Sequence, residues 1–113
     1  MKIGQFSEKS GLTNYTIRYY EKIGVLHKPN IDDSGHRDYK QSDLELINWV
    51  TCLKNSGMLL QKIKEYSQSF RTKNEPKVVA ILELHFLKLI AKKKDIEHYI
   101  EVTQEKFLNL KSS

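Results

Sequence analysis

The sequence lacks the features on which several classes of protein depend. It has one cysteine in 113 residues, so no disulfide framework can form within the chain. No apolar run is long enough to span a bilayer or to act as a signal peptide. The sequence also contains no internal repeat and no low-complexity tract. These absences predict a cytoplasmic protein that makes no contact with a membrane.

Catalytic and metal-binding patterns are absent as well. There is no Gly-rich phosphate-binding loop, no Cys-x-x-Cys pair and no His-Glu-x-x-His motif. The four histidines, at positions 27, 36, 85 and 98, have no metal-ligand spacing. We therefore expect no enzymatic activity, no bound metal and no cofactor.

The chain carries an excess of positive charge, with 19 Lys and Arg against 14 Asp and Glu and a pI near 9.3. Residues 1–74 hold 12 of the basic and 8 of the acidic side chains, so most of the excess lies there. A basic surface favours an anionic partner such as nucleic acid. The length suits one domain with a modest core and one appendage.

The segment Thr13–Gly24 has the pattern of a short helix with marked ends. Thr13 is a favourable N-cap residue, and Gly24 readily takes the left-handed conformation that ends a helix. Apolar positions three apart, Ile17, Tyr20 and Ile23, form one face. The remaining side chains carry phenol, hydroxyl and cationic groups, which can bind phosphate oxygens and base edges; the candidates are Arg18 and Tyr19, followed by Tyr15 and Thr16.

The residues before this helix favour DNA recognition over an ordinary amphipathic surface helix. Lys2–Leu12 gives a first helical segment with Ile3 and Phe6 on one face, closed by Ser10 and Gly11. A short helix, a glycine turn and a capped second helix have the spacing of a helix-turn-helix motif.

Several motifs in order resemble the MerR family of bacterial transcription regulators. They are Ile3-Gly-Gln-Phe6, Ser10-Gly-Leu-Thr13, Thr16-Ile-Arg-Tyr-Tyr-Glu-Lys-Ile-Gly24, Gly35-His-Arg-Asp-Tyr39, Ser42-Asp-Leu44 and Gly57-Met58. The resemblance implies a mainly α fold: a winged helix-turn-helix DNA-binding domain at 1–70, a connector at 71–75 and a long antiparallel coiled-coil dimerisation helix at 76–111. It also implies a homodimer that distorts double-stranded promoter DNA at a pseudo-palindromic site, with RNA polymerase as a further partner.

A small hairpin is expected beside the second helix. The piece Val25–Pro29 is extended, since the residue before proline is excluded from the helical region, and it can pair with His36–Tyr39 across a polar loop. The family resemblance implies that Arg37 is the DNA contact of this wing. Tyr39 either contacts phosphate too or anchors the wing to the core. The family usually has Tyr where this chain has His36.

A pair of helices is expected after the wing. Ser42 and Glu45 have the spacing of a capping box at the start of a helix that runs to about Asn55. A second helix runs from Leu60 to about Phe70, without a side-chain cap at Leu59. In the family this pair forms a second wing, so Lys62 is a candidate for contact with backbone phosphate.

The segment from Pro76 to Lys111 has no helix breaker and carries a heptad seam. A single helix of this length cannot bury such a stripe in its own small domain, so it needs a partner chain. The candidate dimerisation residues are Val79, Leu82, Phe86, Leu89, Ile96, Ile100 and Phe107.

The single cysteine, Cys52, has two interpretations. An isolated cysteine on a helix is usually a small buried apolar residue. The sequence Cys52-Leu-Lys-Asn-Ser-Gly-Met58 is also similar to a short, aldehyde- and electrophile-responsive branch of the MerR family, which implies a sensor thiol.

Two rival functions remain open at the level of sequence. The first is an architectural DNA-binding module without a transcriptional role. The second is a coiled-coil interaction protein whose basic head is incidental; it would have no DNA affinity to lose as salt rises.

Overall fold

A computed structural model describes all residues, Met1–Ser113, and shows five helices and one two-stranded sheet. The elements are α1 (Ile3–Ser10), α2 (Asn14–Ile23), β1 (Asn30–Ile31), β2 (Arg37–Asp38), α3 (Gln41–Asn55), α4 (Leu60–Arg71) and α5 (Glu75–Ser112). The chain divides into two compact units, Met1–Val78 and Val79–Ser113. The predicted mainly α fold, with a hairpin wing and a long C-terminal helix, is confirmed.

The core of the first unit comes from the apolar faces that the sequence pattern predicts. Phe6 of α1 and Ile17 of α2 are fully buried, together with Ile47 and Val50 of α3 and Ile63 of α4. Burying one such side chain contributes about 1.5–3 kcal/mol. These contacts hold the helix-turn-helix against α3 and α4.

Both predicted ends of α2 are present. The Thr13 hydroxyl accepts a hydrogen bond from the backbone N–H of Thr16 at 3.1 Å. Gly24 has φ of +89° and donates its N–H back to Glu21 O. Thr13 and Gly24, the two cap residues predicted from the sequence, therefore stabilise the two ends of α2.

The hairpin differs in detail from the sequence prediction. Its strands pair antiparallel, with Asn30 opposite Asp38, so the first strand begins after the predicted Val25–Pro29 piece. The reason is that Val25 and Leu26 are buried and both donate their N–H groups to the carbonyl of Tyr20. These donors complete the end of α2 and are not available to a sheet.

The start of α3 also differs from the prediction. The helix begins at Gln41, and Asp43, not Glu45, is the acid of its first turn. One oxygen of the Asp43 carboxylate accepts a hydrogen bond from the backbone N–H of Lys40 at 2.9 Å. The other oxygen lies 3.0 Å from His27 Nε2. The local bond between Asp43 and Lys40 forms a capping box at this earlier start of the helix.

A three-residue connection joins α4 to α5. Lys73 lies in it with φ of +56°, and the following residue, Asn74, donates its N–H to Ser69 O at 2.9 Å. None of the helices, α5 included, combines the length and the apolar character needed to cross a membrane.

Candidate nucleic-acid interface

The outward face of α2 exposes the side chains predicted to contact DNA. Tyr15 is 80 % exposed, and Arg18 and Tyr19 are exposed beside it. These three residues and Lys22 line one shallow surface depression. Thr16 is half-buried, and its hydroxyl lies 3.0 Å from that of Thr13, so it supports the helix start as well as facing this surface.

A second depression lies between α2 and the wing and is predominantly basic. Its lining includes Arg18, Lys22, Lys28 and Arg37, with Glu21 as the acidic residue. Four cationic side chains along one groove form a surface that matches the phosphate backbone of DNA.

Glu21 connects the wing to α2. Its side chain is only 6 % exposed; one carboxylate oxygen accepts from Arg37 Nε at 3.1 Å, and the other accepts from the Tyr39 hydroxyl at 2.5 Å. Hydrogen bonds to a charged group contribute about 1.5–3 kcal/mol each when well shielded. Glu21 is not among the site residues predicted from the sequence, although its position four residues after Ile17 places it at the edge of the buried face.

Tyr39 is a buried residue that supports the wing. It is 3 % exposed, and its ring stacks on Phe6 with centroids 4.4 Å apart. Burial raises the pKa of the Tyr39 hydroxyl, and its hydrogen bond to Glu21 raises that pKa further. Its burial and its bond to Glu21 agree with the second interpretation, an anchor for the wing, and the phosphate contact from Tyr39 stays a prediction.

Arg37 remains available at the surface of the wing. Its side chain is partly exposed while Glu21 holds the Nε atom. A guanidinium fixed through one nitrogen presents its other donors in a defined direction. This geometry suits a contact with a phosphate oxygen.

Arg71 is a second residue that the sequence analysis overlooked. It lies at the end of α4, and its guanidinium donates to Gly24 O at 2.8 Å and to Val25 O at 3.1 Å. These carbonyls lie at the C-terminal end of α2, where a cation is favourable. Burial lowers the pKa of Arg71, although arginine stays charged in proteins.

Lys62 lies apart from these groups. It is exposed on the first turn of α4 and pairs with Glu65 at 3.1 Å. The structure gives Lys62 no hydrogen bond or ion pair with α2 or with the wing. An exposed pair of this kind is weak, so Lys62 can exchange Glu65 for another anion.

Cys52 is exposed on α3. In the single chain, Cys52 is therefore not the buried apolar residue of the first interpretation. Accessibility is one of the conditions that a reactive thiol needs.

The predicted dimerisation residues leave a large apolar surface on α5. Five of the seven are 44 to 61 % exposed, and Leu82 and Leu89 are partly buried. Ile96, Ile100 and Phe107 line one shallow groove along the helix. Exposed apolar stripes of this length mark surfaces that bind another protein.

Comparison with known proteins shows similarity over both units. A family profile described as "MerR HTH family regulatory protein" matches residues 1–69. The uncharacterised HTH-type transcriptional regulator YyaN of Bacillus subtilis is 32 % identical over 118 residues, covering 92 % of this chain and 86 % of the relative.

Two solved structures have the same fold. A MerR family transcriptional regulator from Listeria monocytogenes superposes with a TM-score of 0.86 at 25 % identity, covering 95 % of this chain and 83 % of that one. HiNmlR, a MerR family regulator lacking the sensor domain and bound to promoter DNA, superposes with a TM-score of 0.73 at 25 % identity, covering 89 % and 78 %.

Proposed function

Since the chain belongs to the MerR family of helix-turn-helix regulatory proteins, we propose that it acts as a homodimer on a pseudo-palindromic promoter in the cytoplasm. It is a transcriptional regulator and not an enzyme. The observation that carries the proposal is the exposed, basic face of α2 with the basic groove between α2 and the wing beside it.

Two α2 helices enter successive major grooves. Arg18 and Tyr19 lead the contacts, with Tyr15 and Thr16 behind them. A guanidinium can donate two hydrogen bonds to guanine, while phenol and hydroxyl groups bind phosphate oxygens. Arg37 on the wing and Lys62 on α4 contact the flanking backbone.

The dimer forms through antiparallel packing of α5 on the α5 of a second copy. Its exposed apolar seam supports this arrangement, and so does its charge distribution. Residues 79–94 carry four lysines and one glutamate, whereas residues 95–113 carry four acidic residues and two lysines. Antiparallel pairing brings the basic half of one helix to the acidic half of the other, and parallel pairing would align like charges.

The regulator acts by deforming the promoter so that RNA polymerase can engage both promoter elements. Binding two half-sites with one rigid dimer bends and untwists the DNA between them, and the protein contacts offset the cost of deformation. This mechanism is what separates a regulator from an architectural module on the same fold.

Arg18→Ala tests the docking. We expect this change to weaken binding to the DNA upstream of the protein's own gene by about 10-fold or more, since one good base contact contributes about 1–3 kcal/mol. Fluorescence anisotropy measures the affinity at several salt concentrations. Lys88→Ala, which removes a cation from α5, is the matched control and should leave the affinity unchanged.

The outcomes separate the rival functions. An unaltered affinity in Arg18→Ala would exclude docking through α2. If the native protein has no salt-dependent DNA affinity, a coiled-coil interaction protein becomes the better interpretation. Tight binding without any change in transcription in vitro would favour the architectural module.

Cys52 is the proposed sensor within this function. Its exposure on α3 makes the thiol accessible to an aldehyde or another electrophile, which would form a covalent adduct with the sulfur. We expect a reactive aldehyde to change promoter transcription with the native protein and to have no effect with Cys52→Ser. Equal responses from both proteins would assign the signal to another site.

A further inference from the structure

A cavity of about 670 Å³ lies where the start of α3, the end of α4 and the first turn of α5 meet. It shares no residue with the basic groove between α2 and the wing. Leu46, Phe70 and Val78 provide an apolar wall from three different helices. The volume lies in the range of small-molecule sites, about 300–1,000 Å³.

Two cationic side chains of this cavity have no acidic partner. Arg71 and Lys73 line it, and neither forms an ion pair. Ser69 lines it too, and this residue is only 4 % exposed. A hydroxyl group can donate to a ligand oxygen, so Ser69 adds a neutral donor beside the two cations.

The two acidic residues of the lining, Asp43 and Glu75, form no ion pair with Arg71 or Lys73. Asp43 has both carboxylate oxygens occupied, one by His27 Nε2 at 3.0 Å and the other by the Lys40 N–H at 2.9 Å. Glu75 is exposed at the first position of α5. Arg71 is therefore a half-buried cation of the lining that has no acidic partner.

We propose that this cavity binds a small carboxylate with an apolar body and that it is an effector site of the regulator. The carboxylate accepts from Arg71, Lys73 and the Ser69 hydroxyl, and the apolar body packs on Phe70, Leu46 and Val78. A cation that is partly removed from water and has no counter-ion binds such an anion more strongly than an exposed cation does.

Arg71 connects this site to the recognition helix. Arg71 lines the cavity, and its guanidinium donates to the carbonyls of Gly24 and Val25, at the end of α2. A carboxylate that draws the guanidinium toward the cavity weakens those two bonds, so it changes how firmly the end of α2 is held. Ligand and DNA then influence each other's affinity, as linkage requires. This coupling rests on the function proposed above, whereas binding in the cavity does not.

Calorimetry of the full chain with 4-phenylbutyrate tests the site, and uncharged 4-phenylbutyramide is the matched ligand control. We expect the carboxylate to bind at least 10-fold more tightly than the amide. Val78→Trp fills the cavity and should reduce that affinity at least 10-fold. Lys77→Trp, one residue away and outside the lining, should not reduce it.

A second pair of variants tests the site even if Val78→Trp does not fold. Phe70→Ala removes an exposed wall residue and should also weaken binding of the carboxylate, while Leu59→Ala removes an exposed apolar side chain elsewhere and should have no effect. The proposal is overturned if benzoate, 4-phenylbutyrate and octanoate all bind no more tightly than their amides. It is equally overturned if the filled cavity binds as well as the native one.

DNA affinity measured with and without 4-phenylbutyrate tests the coupling. At least a threefold change is expected for the native protein, and a smaller change for Phe70→Ala at the same ligand concentration. Binding of the carboxylate with unchanged DNA affinity would overturn the role of Arg71. A protein that binds the carboxylate but no DNA would refute the proposed function together with the coupling, and leave the cavity site standing.

Discussion

Glu21 determines how the wing is held against α2, although it belongs to a helix whose other polar residues face outward. Its buried carboxylate serves two partners from the wing, the Arg37 guanidinium and the Tyr39 hydroxyl. One acidic side chain thereby orients an arginine that is proposed to bind DNA and fixes a tyrosine that packs on the core. Removing it should affect stability and DNA binding together.

We predict that Glu21→Ala lowers the free energy of unfolding by about 1–3 kcal/mol, because the buried Tyr39 hydroxyl then loses its acceptor. Urea unfolding of the purified protein measures this change. DNA affinity should fall as well, since Arg37 loses the group that orients it. Tyr39→Phe is the control: it removes the hydroxyl and its bond but leaves the pair between Glu21 and Arg37 intact, so its effect on DNA affinity should be smaller. Native-like stability of Glu21→Ala would show that the network contributes nothing.

The backbone is strained just after the C-terminal end of α4. Lys73 has φ of +56°, in the left-handed region. Its N–H donates to Phe70 O and the N–H of Asn74 donates to Ser69 O, so these two bonds cap the C-terminal end of the helix. Glycine is the usual residue at this position because a Cβ atom crowds the backbone there. The chain keeps a lysine at the junction between α4 and α5, next to the proposed carboxylate site.

Lys73→Gly should therefore stabilise the protein by about 0.5–1 kcal/mol, since relief of the strained φ exceeds the extra entropy of glycine in the unfolded chain. Thermal unfolding should show a Tm higher by a few °C, as expected for a domain of this size. Lys73→Ala removes the charge but keeps the Cβ atom, so it should give no gain. Equal gains in both variants would attribute the effect to charge and not to the backbone.

At the scale of the whole molecule, the second unit does not bury its own apolar seam. Residues 79–113 form part of one helix, and almost every side chain from Ala91 onward is exposed. An isolated helix gains little from propensity alone and depends on packing of its apolar face. The proposed homodimer supplies that packing and sets the distance between the two recognition helices.

Ile100→Asp should convert the protein to a monomer at micromolar concentration, because it places a charge in the centre of the proposed seam. Analytical ultracentrifugation measures the change in mass. Val102→Asp introduces the same charge two residues away, at an exposed position outside the seam, and should leave the dimer intact. A dimeric Ile100→Asp variant would place the interface on another face of α5.

Much of the site follows from patterns that are local in sequence. Thr13 and Gly24 mark the ends of α2 because capping is decided by the residue itself and its near neighbours. Helical periodicity separates buried Ile17 from exposed Arg18 within the same turn. The exposed face of α2 and the apolar seam of α5 were predictable for the same reason.

Contacts between distant segments were not predictable from those patterns. Glu21 meets partners 16 and 18 residues away, and Arg71 bonds carbonyls 46 and 47 residues away. Periodicity predicts which face of a helix is apolar. It does not predict which polar group of a distant segment a side chain of that helix will contact. The contact between Asp43 and His27 is of the same kind, since it joins two distant segments.

Local patterns in the sequence are enough to predict the helices, both caps of α2, its exposed polar face and the apolar seam of α5, since each depends on interactions within a few turns. Only the tertiary structure decided that Tyr39 is an anchor, that Glu21 and Arg71 hold α2 in place, and that a cavity opens beside Arg71. The physical reason is that burial and pairing of polar side chains depend on which segments meet, and that is settled by packing of the whole core.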